Sequence, residues 1–165
     1  MTMHRFKLSG AQRFGIRFFA ILILMSVLSW VVVLPNRLGL LQRAIATSAA
    51  GIARLVGSTN SLEGEQIVVR TLNIDISFEC TGVYVLLILF TFLLAYPASW
   101  RGRVLGAAIG TAALTLLNVL RIAFLVRVAE LQPALFEYLH EYVWQGLFLV
   151  LVITYAMTWV RYVQR

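Results

Sequence analysis

The sequence predicts an all-α integral membrane protein: a four-transmembrane-helix bundle with an interfacial helix and a short extended, β-type segment on the non-cytoplasmic side. Two observations carry this prediction. Of the 165 residues, 61% are hydrophobic and only 13% are charged, too few charges to cover a soluble domain of this size. Several apolar runs also approach the roughly 20 residues that a helix needs to cross a bilayer.

Four apolar runs are predicted as transmembrane helices of one membrane-embedded domain, residues 1–165. They span Phe14–Leu34, Gly82–Ala98, Val104–Val128 and Tyr142–Val160. A helix is expected in each run because it satisfies its own backbone polar groups in lipid. Basic residues precede the first run, as in a signal peptide. Its apolar core is too long for one and no small-residue cleavage site follows closely, so we expect a retained anchor.

The placement of arginine and lysine predicts the orientation. Eight basic residues and no acid occur before or at the start of the first run, between the second and third, and after the last: Arg5, Lys7, Arg13, Arg17, Arg101, Arg103, Arg161 and Arg165. All seven acids fall in the remaining stretches. We therefore expect both termini in the cytoplasm and a multi-pass protein of the cell (inner) membrane. The net charge of +7 then reflects topology and contact with membrane lipid, and no basic face suggests a nucleic-acid partner.

Residues 35–81, between the first two runs, are predicted to lie on the non-cytoplasmic side. Leu38–Val56 is mildly amphipathic, with two arginines among Leu, Ile and Ala. This pattern is typical of an interfacial helix on the membrane surface, and equally of a helix packed on the other helices. Gly57–Gly64 is predicted to be a turn-rich break.

An extended segment is predicted immediately before the second run. Apolar residues alternate there with polar ones, the period of a half-buried strand, at Leu72, Ile74, Ile76 and Phe78. Gln66–Arg70 is a candidate hairpin partner, although the turn between the two lacks Gly, Asn-Gly or Asp-Gly.

Three residues with catalytic potential converge on the non-cytoplasmic face. Cys80, the chain's only cysteine, opens the second run, and His140, one of two histidines, precedes the fourth. Arg121 lies in the third run, seven residues from its outer end, which is about 10 Å below the surface. Because three separate segments deliver these groups to a similar depth, the sequence predicts a shared site.

The chemistry of the three side chains suits nucleophilic catalysis. A thiolate is the reactive form of cysteine, and a nearby cation stabilises it. A histidine can remove the thiol proton and return it to a leaving amine, while an arginine fork can stabilise an oxyanion. Each residue also has a simpler interpretation: Cys80 as a small hydrophobe, His140 as an interfacial side chain, and Arg121 as a snorkelling or structurally paired cation.

Helical spacing adds supporting residues around this site. Tyr84, Leu87 and Thr91 are expected on the Cys80 face. Asn118 shares the Arg121 face and can contact substrate or hydrogen-bond another helix. Glu137, Glu141 and Trp144 are expected to flank His140, where a carboxylate can orient the imidazole or simply form a solvated turn. One cysteine and one available histidine do not make a zinc site, and no Gly-rich phosphate loop occurs, so no metal or cofactor is expected.

Three segments, FECTGVYVLL, NVLRIAFLV and HEYVWQGLF, resemble the exosortase and archaeosortase family, and the resemblance covers Gly64–Gln164. Members of that family are membrane-embedded cysteine peptidases, acting as transpeptidases. Their partners are exported proteins with a C-terminal sorting signal, which consists of a short motif, a transmembrane helix and a basic cluster. The resemblance implies Cys80 as nucleophile, Arg121 as electrostatic stabiliser and His140 as acid-base.

The resemblance is to the short, single-core exosortases, with the H-type as the candidate subtype. Thr81 stands where Ser is commoner in the family. The implied reaction passes through a thioester acyl-enzyme, which an amine-bearing lipid or glycan acceptor, or water, then releases. Two rival functions remain open from the residues alone. One is a non-catalytic membrane assembly subunit that pairs Arg121 with an acid on a partner helix. The other is a transporter fragment, which the lack of inverted repeats disfavours.

Overall fold

The computed structural model describes residues 10–33, 39–70 and 72–164, with the backbone alone for residues 30–33. Predicted features at Arg5, Lys7, Leu34, residues 35–38 and Arg165 lie outside the described residues. The helices are α1 Gly10–Val33, α2 Gly39–Leu55, α3 Val83–Ala95, α4 Trp100–Leu131, α5 Pro133–Tyr138 and α6 Trp144–Val163. The strands are β1 Asn60–Glu63, β2 Gln66–Val69 and β3 Leu72–Asp75. The predicted all-α membrane fold with a short β segment is confirmed.

Three helical stretches are long and apolar enough to cross a membrane: Gly10–Ser29, Trp100–Leu131 and Pro133–Val163. The predicted second span is shorter than expected, because α3 has 13 residues, a length of about 20 Å. A residue before proline is pushed out of the helical region. Tyr96, before Pro97, accordingly has an extended backbone with ψ 136°. Four spans were predicted, and the described residues contain three helices of full length and one shorter apolar helix.

Helix α4 is longer at both ends than the predicted run Val104–Val128. Its start is fixed by Ser99, whose side-chain oxygen accepts a 3.2 Å hydrogen bond from the backbone N–H of Gly102; serine is a preferred residue at this capping position. Because α4 continues to Leu131, Arg121 lies ten residues from its end, or about 15 Å, and the predicted seven is wrong.

The last helical stretch begins at Pro133, nine residues before the predicted Tyr142. Proline suits the first turn of a helix, since its missing N–H has no partner there anyway. A π-helical turn, Leu139–Val143, joins α5 to α6. His140 therefore lies inside a helical stretch. The sequence had predicted a position before the helix.

The bundle has two chemically different ends. The Phe14 ring of α1 lies 5.8 Å from the Phe92 ring of α3, and Trp159 of α6 donates to the carbonyl of Gly102 in α4 at 3.0 Å. The start of α1, the end of α3, the start of α4 and the end of α6 are thus together. We call this the basic end, after its described arginines: Arg13, Arg17, Arg101, Arg103 and Arg161. The β-strands lie at the opposite, sheet end, and all seven acids of the chain belong to segments there.

Small residues let α4 approach α6 closely. A Cβ atom at Gly106 would overlap the Trp159 ring, and one at Gly110 would lie 2.8 Å from the Tyr155 ring. The Tyr155 hydroxyl donates to the Gly106 carbonyl at 2.6 Å. Small residues four apart commonly permit such contact between membrane helices, so this pair of glycines fixes how α6 lies against α4.

Helix α2 packs against the sheet-end half of α4. Its buried face consists of small side chains with no exposed area, namely Ala46, Ala49, Ala50 and Ala53. They belong to one core cluster with Ile122 and Val126 of α4. Of the two alternatives left open by the sequence, the structure therefore shows a helix packed on another helix.

The three strands form an antiparallel sheet in the order β1-β2-β3. The candidate hairpin that the sequence left open is present, since Gln66 pairs with Asp75 and Val69 with Leu72. The strand is shorter than the alternating pattern, because β3 ends at Asp75 and Phe78 lies in the following turn. The interpretation of Gly57–Gly64 as a break was partly wrong, because Asn60–Glu63 forms β1 along β2. The sequence Asn-Ser-Leu-Glu has little apolar alternation of its own, so only its pairing with β2 makes it a strand.

A buried carboxylate ties the sheet to α4. Glu130 is 4% exposed and accepts hydrogen bonds from the backbone N–H of Thr59 at 3.1 Å and its hydroxyl at 2.7 Å. Arg127 completes the set with a 2.7 Å ion pair. Arg127 is thus a structural partner that helps to hold the segment before β1 on α4.

Candidate active site

The strand β3 and the turn after it carry Cys80 into the helix bundle. Ile76 is 1% exposed, and its carbonyl accepts a 3.0 Å hydrogen bond from Gln42 of α2. Cys80 then lies in a 3₁₀ turn, Phe78–Thr81, closed by a 3.0 Å bond from its N–H to the carbonyl of Ser77. The Ser77 hydroxyl also donates to the Cys80 sulfur at 3.6 Å. These contacts hold the thiol, on a residue that is 8% exposed, in one orientation.

Gly82 separates Cys80 from helix α3. Its backbone is left-handed, with φ 77°, a conformation that glycine adopts at little cost. The helix starts at Val83, so the expectation that Cys80 opens it is wrong, and helical spacing does not carry through from Cys80. Consequently Tyr84, Val85 and Ile88 line the cavity beside Cys80, whereas the predicted Leu87 and Thr91 are not among its lining residues.

Asn118 connects Cys80 to α4. It is 1% exposed, and its side-chain N–H₂ donates a 2.7 Å hydrogen bond to the carbonyl of Cys80. A Cβ atom at position 82 would lie 3.3 Å from the Asn118 amide carbon. Gly82 therefore leaves the room that Asn118 needs. Asn118 thus makes a hydrogen bond from α4 to the backbone of the candidate nucleophile, in the turn before α3. It also lines the cavity, and its contact with substrate stays a prediction.

His140 approaches Cys80 from the last helical stretch. Its Nε2 lies 3.5 Å from the Cys80 sulfur, within the limits of a hydrogen bond to sulfur. Phe136, one turn earlier, stacks on the imidazole with 5.6 Å between ring centroids and 12° between planes. His140 sits in the π-helical turn. Such turns are frequent at functional sites because the extra residue re-aims side chains.

Arg121 lies beside this pair without touching the sulfur. Its Nη1 donates to the Asn118 side-chain oxygen at 3.5 Å, a long hydrogen bond. Its guanidinium carbon lies 5.5 Å above the centre of the Phe148 ring, a cation–π distance. Its buried Nε has no hydrogen-bond partner among the described residues. The cation is therefore held by a ring and one amide, with donor capacity left for a ligand.

A cavity of about 590 Å³ joins these side chains. Cys80, Asn118, Arg121 and His140 all line it, together with apolar residues of α3 and α6. The size lies within the range of small-molecule and peptide side-chain sites. The convergence of thiol, imidazole and guanidinium that the sequence predicted is thus present in the structure.

The supporting residues divide into two groups. Tyr84 and Trp144 line the cavity, and the buried indole Nε1 of Trp144 has no hydrogen-bond partner among the described residues. Glu137 and Glu141 are exposed, and neither lines the cavity. Phe136, and not a carboxylate, packs on the His140 ring, because it lies four residues earlier on the same helical face.

Sequence reasoning missed Ser77, Phe136 and Phe148. Phe136 was detectable from its spacing to His140. Ser77 and Phe148 gave no sequence signal, since one touches Cys80 through a turn and the other reaches Arg121 from another helix. No group of three or more potential metal-ligating residues occurs among those that the structure describes.

Comparison with known families decides the identity of this fold. A family model described as transmembrane exosortase (Exosortase_EpsH) matches residues 6–159. The chain belongs to the transmembrane exosortase family. The resemblance stated from three short segments is thereby confirmed over nearly the whole chain.

The matched range of this exosortase includes every residue of the cavity, from Glu79 to Val152. It also includes α1 and α2, which lie before the range Gly64–Gln164 that the three segments indicated. No curated protein and no solved structure matches the chain. Membership in a transmembrane family and the three long apolar helices agree on a multi-pass membrane protein.

Proposed function

We propose that this exosortase is a membrane-embedded cysteine peptidase and transpeptidase that cleaves the C-terminal sorting signals of exported proteins through a thioester acyl-enzyme. One observation carries the proposal: the Cys80 sulfur and the His140 Nε2 lie 3.5 Å apart in a cavity, although 60 residues separate them in sequence. Nucleophile and base within hydrogen-bond reach are the signature of an activated nucleophile.

The first half of the reaction cleaves the peptide. His140 removes the proton from the Cys80 thiol, and the thiolate attacks the scissile carbonyl carbon. Arg121, whose Nε has no other partner among the described residues, stabilises the negative charge on the tetrahedral oxygen. Protonated His140 gives its proton to the departing amine, which leaves with the transmembrane tail. The C–N bond is replaced by a thioester to Cys80.

The second half releases the exported protein. An amine-bearing lipid or glycan, or water, attacks the thioester carbonyl, and His140 accepts the proton that the attacking group loses. The C–S bond breaks, and the cysteine is regenerated. With an amine acceptor the product is an amide at the new C-terminus, and with water it is a free carboxylate. Neither half requires a metal or cofactor.

Other cavity residues bind and position the substrate in this scheme. Asn118 acts through Cys80 and Arg121, which it contacts on either side. Tyr84 and Trp144 offer aromatic rings with polar groups to the peptide around the scissile bond, since both line the cavity. Glu137 is exposed and outside the cavity lining, so it receives no role.

The proposed location is the cell (inner) membrane, with both termini in the cytoplasm and the active site on the non-cytoplasmic side. The segments at the basic end carry arginines and no acid, whereas all seven acids belong to segments at the sheet end, and this difference supports the proposed orientation. Helix α3 is short, but it connects the two ends, because Cys80 before it is at the sheet end and Tyr96 after it contacts Trp159 at the basic end. We therefore propose that it crosses the membrane together with the turn before it.

To test the proposed peptidase activity, the chain is co-expressed with tagged exported reporters that carry candidate C-terminal signals. The mass of the trimmed reporter is then measured. Cys80→Ala and Cys80→Ser should abolish trimming while membrane insertion persists. The matched control is Ser48→Ala on α2, whose exposed hydroxyl bonds only its own helix, and it should trim normally. Trimming by Cys80→Ala at the rate of the unaltered chain would end the proposal. The product mass distinguishes an attached amine from simple hydrolysis.

The rival function, a non-catalytic assembly subunit, predicts different results. Arg121 would then pair with an acid on a partner helix, so a charge reversal at Arg121 would be rescued by a reversal in the partner. Cys80→Ser would be tolerated. The structure gives Arg121 contacts within the chain, to Asn118 and Phe148, and directs it to the same cavity as Cys80, which favours the enzyme.

A further inference from the structure

A second cavity lies on the outside of the bundle, between the candidate active site and the basic end. It has a volume of about 370 Å³ and is bounded by Phe18 of α1, by side chains of α3, and by side chains of α6. Its lining is apolar except for Arg161 at the basic end. Among the α6 residues, Ile153 and Met157 are 49% and 56% exposed, so no described residue covers this side of the helix.

This cavity continues into the candidate active site. Ile88 of α3 and Val152 of α6 line both cavities. The two together form one groove between α3 and α6, which we call the long groove. It begins at Cys80 and His140 and ends at Arg161.

The length of the long groove matches the thickness of a membrane. On its α6 side it extends from Trp144 to Arg161, a separation of 17 residues, or about 26 Å at the rise of an α-helix. The hydrocarbon core of a bilayer is about 30 Å thick. A ligand that fills the long groove therefore crosses the apolar layer from the catalytic groups to the basic end.

The side chains that line the long groove determine what kind of peptide can bind in it. In the part of the groove towards the basic end, the walls are apolar side chains of helices whose backbone groups are already paired. A peptide there must therefore satisfy its own N–H and C=O groups. Only a helix does so within one segment. Near Cys80 the walls become polar, with Asn118, Arg121 and Gln145, and an extended peptide can find partners there.

The placement of basic residues gives the direction. Basic residues collect on the cytoplasmic side of a membrane protein, and the basic cluster that follows the helix of a sorting signal belongs on that side. The arginines of the basic end are proposed to lie on the same side. The C-terminus of an occupying helix would therefore lie at the Arg161 end, and its N-terminus beside Cys80, so that the residues just before the helix enter the polar cavity.

From these features we infer that the long groove is the docking site for the transmembrane helix of the substrate, with its N-terminal end at Cys80 and its C-terminal end at Arg161. This inference rests on the proposed function and adds to it the surface that presents the scissile bond. The apolar helix binds by packing along α3 and α6, and the nucleophile meets the peptide only where that helix begins.

A first test fills the long groove. Ala156 lines it and is 6% exposed, so Ala156→Phe should obstruct a helix while leaving Cys80 accessible to a small thiol reagent. We expect trimming of the reporter to fall at least about tenfold, the effect of roughly 1.4 kcal/mol in lost binding, with the alkylation rate of Cys80 unchanged. The control is Ala112→Phe, the same change at an exposed position of α4, which should trim normally.

A second test does not depend on activity or on a buried substitution. Because the chain has one cysteine, Cys80→Ala gives a cysteine-free background. Met157→Cys in that background should form an oxidant-induced disulfide with a reporter that carries one cysteine in its C-terminal helix. Leu116→Cys, 58% exposed on α4, serves as the control and should not. The reporter is the one that the unaltered chain trims.

The outcomes separate the two proposals. Normal trimming by Ala156→Phe, or equal cross-linking at positions 116 and 157, overturns the docking site, while loss of trimming in Cys80→Ala still upholds the peptidase. Cross-linking of position 157 to a lipid acyl-chain probe but not to the reporter also overturns it, since the groove would then hold lipid. If no reporter is trimmed, or Cys80→Ala trims normally, the proposed function itself fails.

Discussion

The side-chain amide of Asn118 donates a 2.7 Å hydrogen bond to the backbone carbonyl of Cys80, 38 residues away in sequence. The same amide accepts a longer hydrogen bond from Arg121 at 3.5 Å. One buried side chain on α4 thus sets the turn that holds the thiol and touches the cation beside it. Gly82 makes this possible, because any larger residue there would press on the amide.

Asn118→Leu should slow reporter trimming strongly. It keeps the approximate volume but leaves the Cys80 carbonyl without its partner, which costs about 1–3 kcal/mol for a buried group. If that energy is lost from the transition state, the rate falls about 5- to 150-fold. Trimming rates in membranes test this, with Leu117→Ala, at an adjacent exposed position, as the control. A positioning role also requires slower alkylation of Cys80 in Asn118→Leu; unchanged trimming and alkylation would contradict it.

Arg121→Lys should lower trimming roughly 100-fold, the usual effect of losing one oxyanion donor. A lysine keeps the charge but lacks the planar fork that stacks on Phe148 and reaches Asn118 at the same time. Insertion into the membrane should not change. The control is Arg127→Lys, since a lysine can still pair with Glu130 and position 127 is outside the cavity. Equal trimming by Arg121→Lys and the unaltered chain would remove Arg121 from the mechanism.

His140→Gln should reduce both trimming and thiol reactivity. Glutamine is of similar length but cannot accept the thiol proton as a base, so we expect a fall in trimming of about 100-fold or more. Because Cys80 is the chain's only cysteine, alkylation by a small neutral reagent reports on it alone. Its rate at neutral pH should also drop in His140→Gln. If Cys80 is alkylated as fast in the His140→Gln variant as in the unaltered chain, the 3.5 Å contact does not activate the sulfur.

Gly106→Val should destabilise the bundle. The added side chain would overlap the Trp159 ring, and overpacking of this kind typically costs about 1–3 kcal/mol. A lower thermal unfolding midpoint in detergent is the expected result. The control is Gly51→Ala on α2, where a Cβ meets nothing within 4 Å; it should unfold no earlier than the unaltered chain. A Gly106→Val chain that is as stable as that control would show that α4 and α6 do not pack at this glycine.

The membrane helices were predictable where apolar length and charge placement decide them. The first and third runs appear as α1 and α4, although the ends moved. Ser99 sets the start of α4, and Pro97 sets the end of α3, through local rules that can be read from the sequence. The end of α4 also follows a local rule, because Gln132, before Pro133, leaves the helical region with φ −145° and ψ 76°. The π-helical turn at Leu139–Val143 depends on contacts made after the helices pack. Hydropathy carries no information about such contacts.

The residues of the candidate site were likewise predictable only in part. Cys80, Arg121 and His140 were found because each residue type is rare or costly at its place in a membrane protein. Leu87 and Thr91 were misplaced, since the left-handed Gly82 resets the helical phase between the turn and α3. Glu137 was expected beside the imidazole, where Phe136 lies instead. The first error arises from the backbone conformation of one glycine, which spacing does not show. The second could have been avoided, because Phe136 precedes His140 by four residues and so shares its helical face.

The sequence by itself determined that this chain lies in a membrane, which of its ends are basic, and which three side chains have the chemistry for nucleophilic catalysis. These properties belong to composition and local order, and folding cannot remove them. Only the tertiary structure decided that sulfur and imidazole come within 3.5 Å, that Asn118 holds the cysteine turn, and that α3 and α6 leave a membrane-long groove open. Such relations join residues from separate helices, so they exist only when the packing of glycines, alanines and rings has fixed the distances between them.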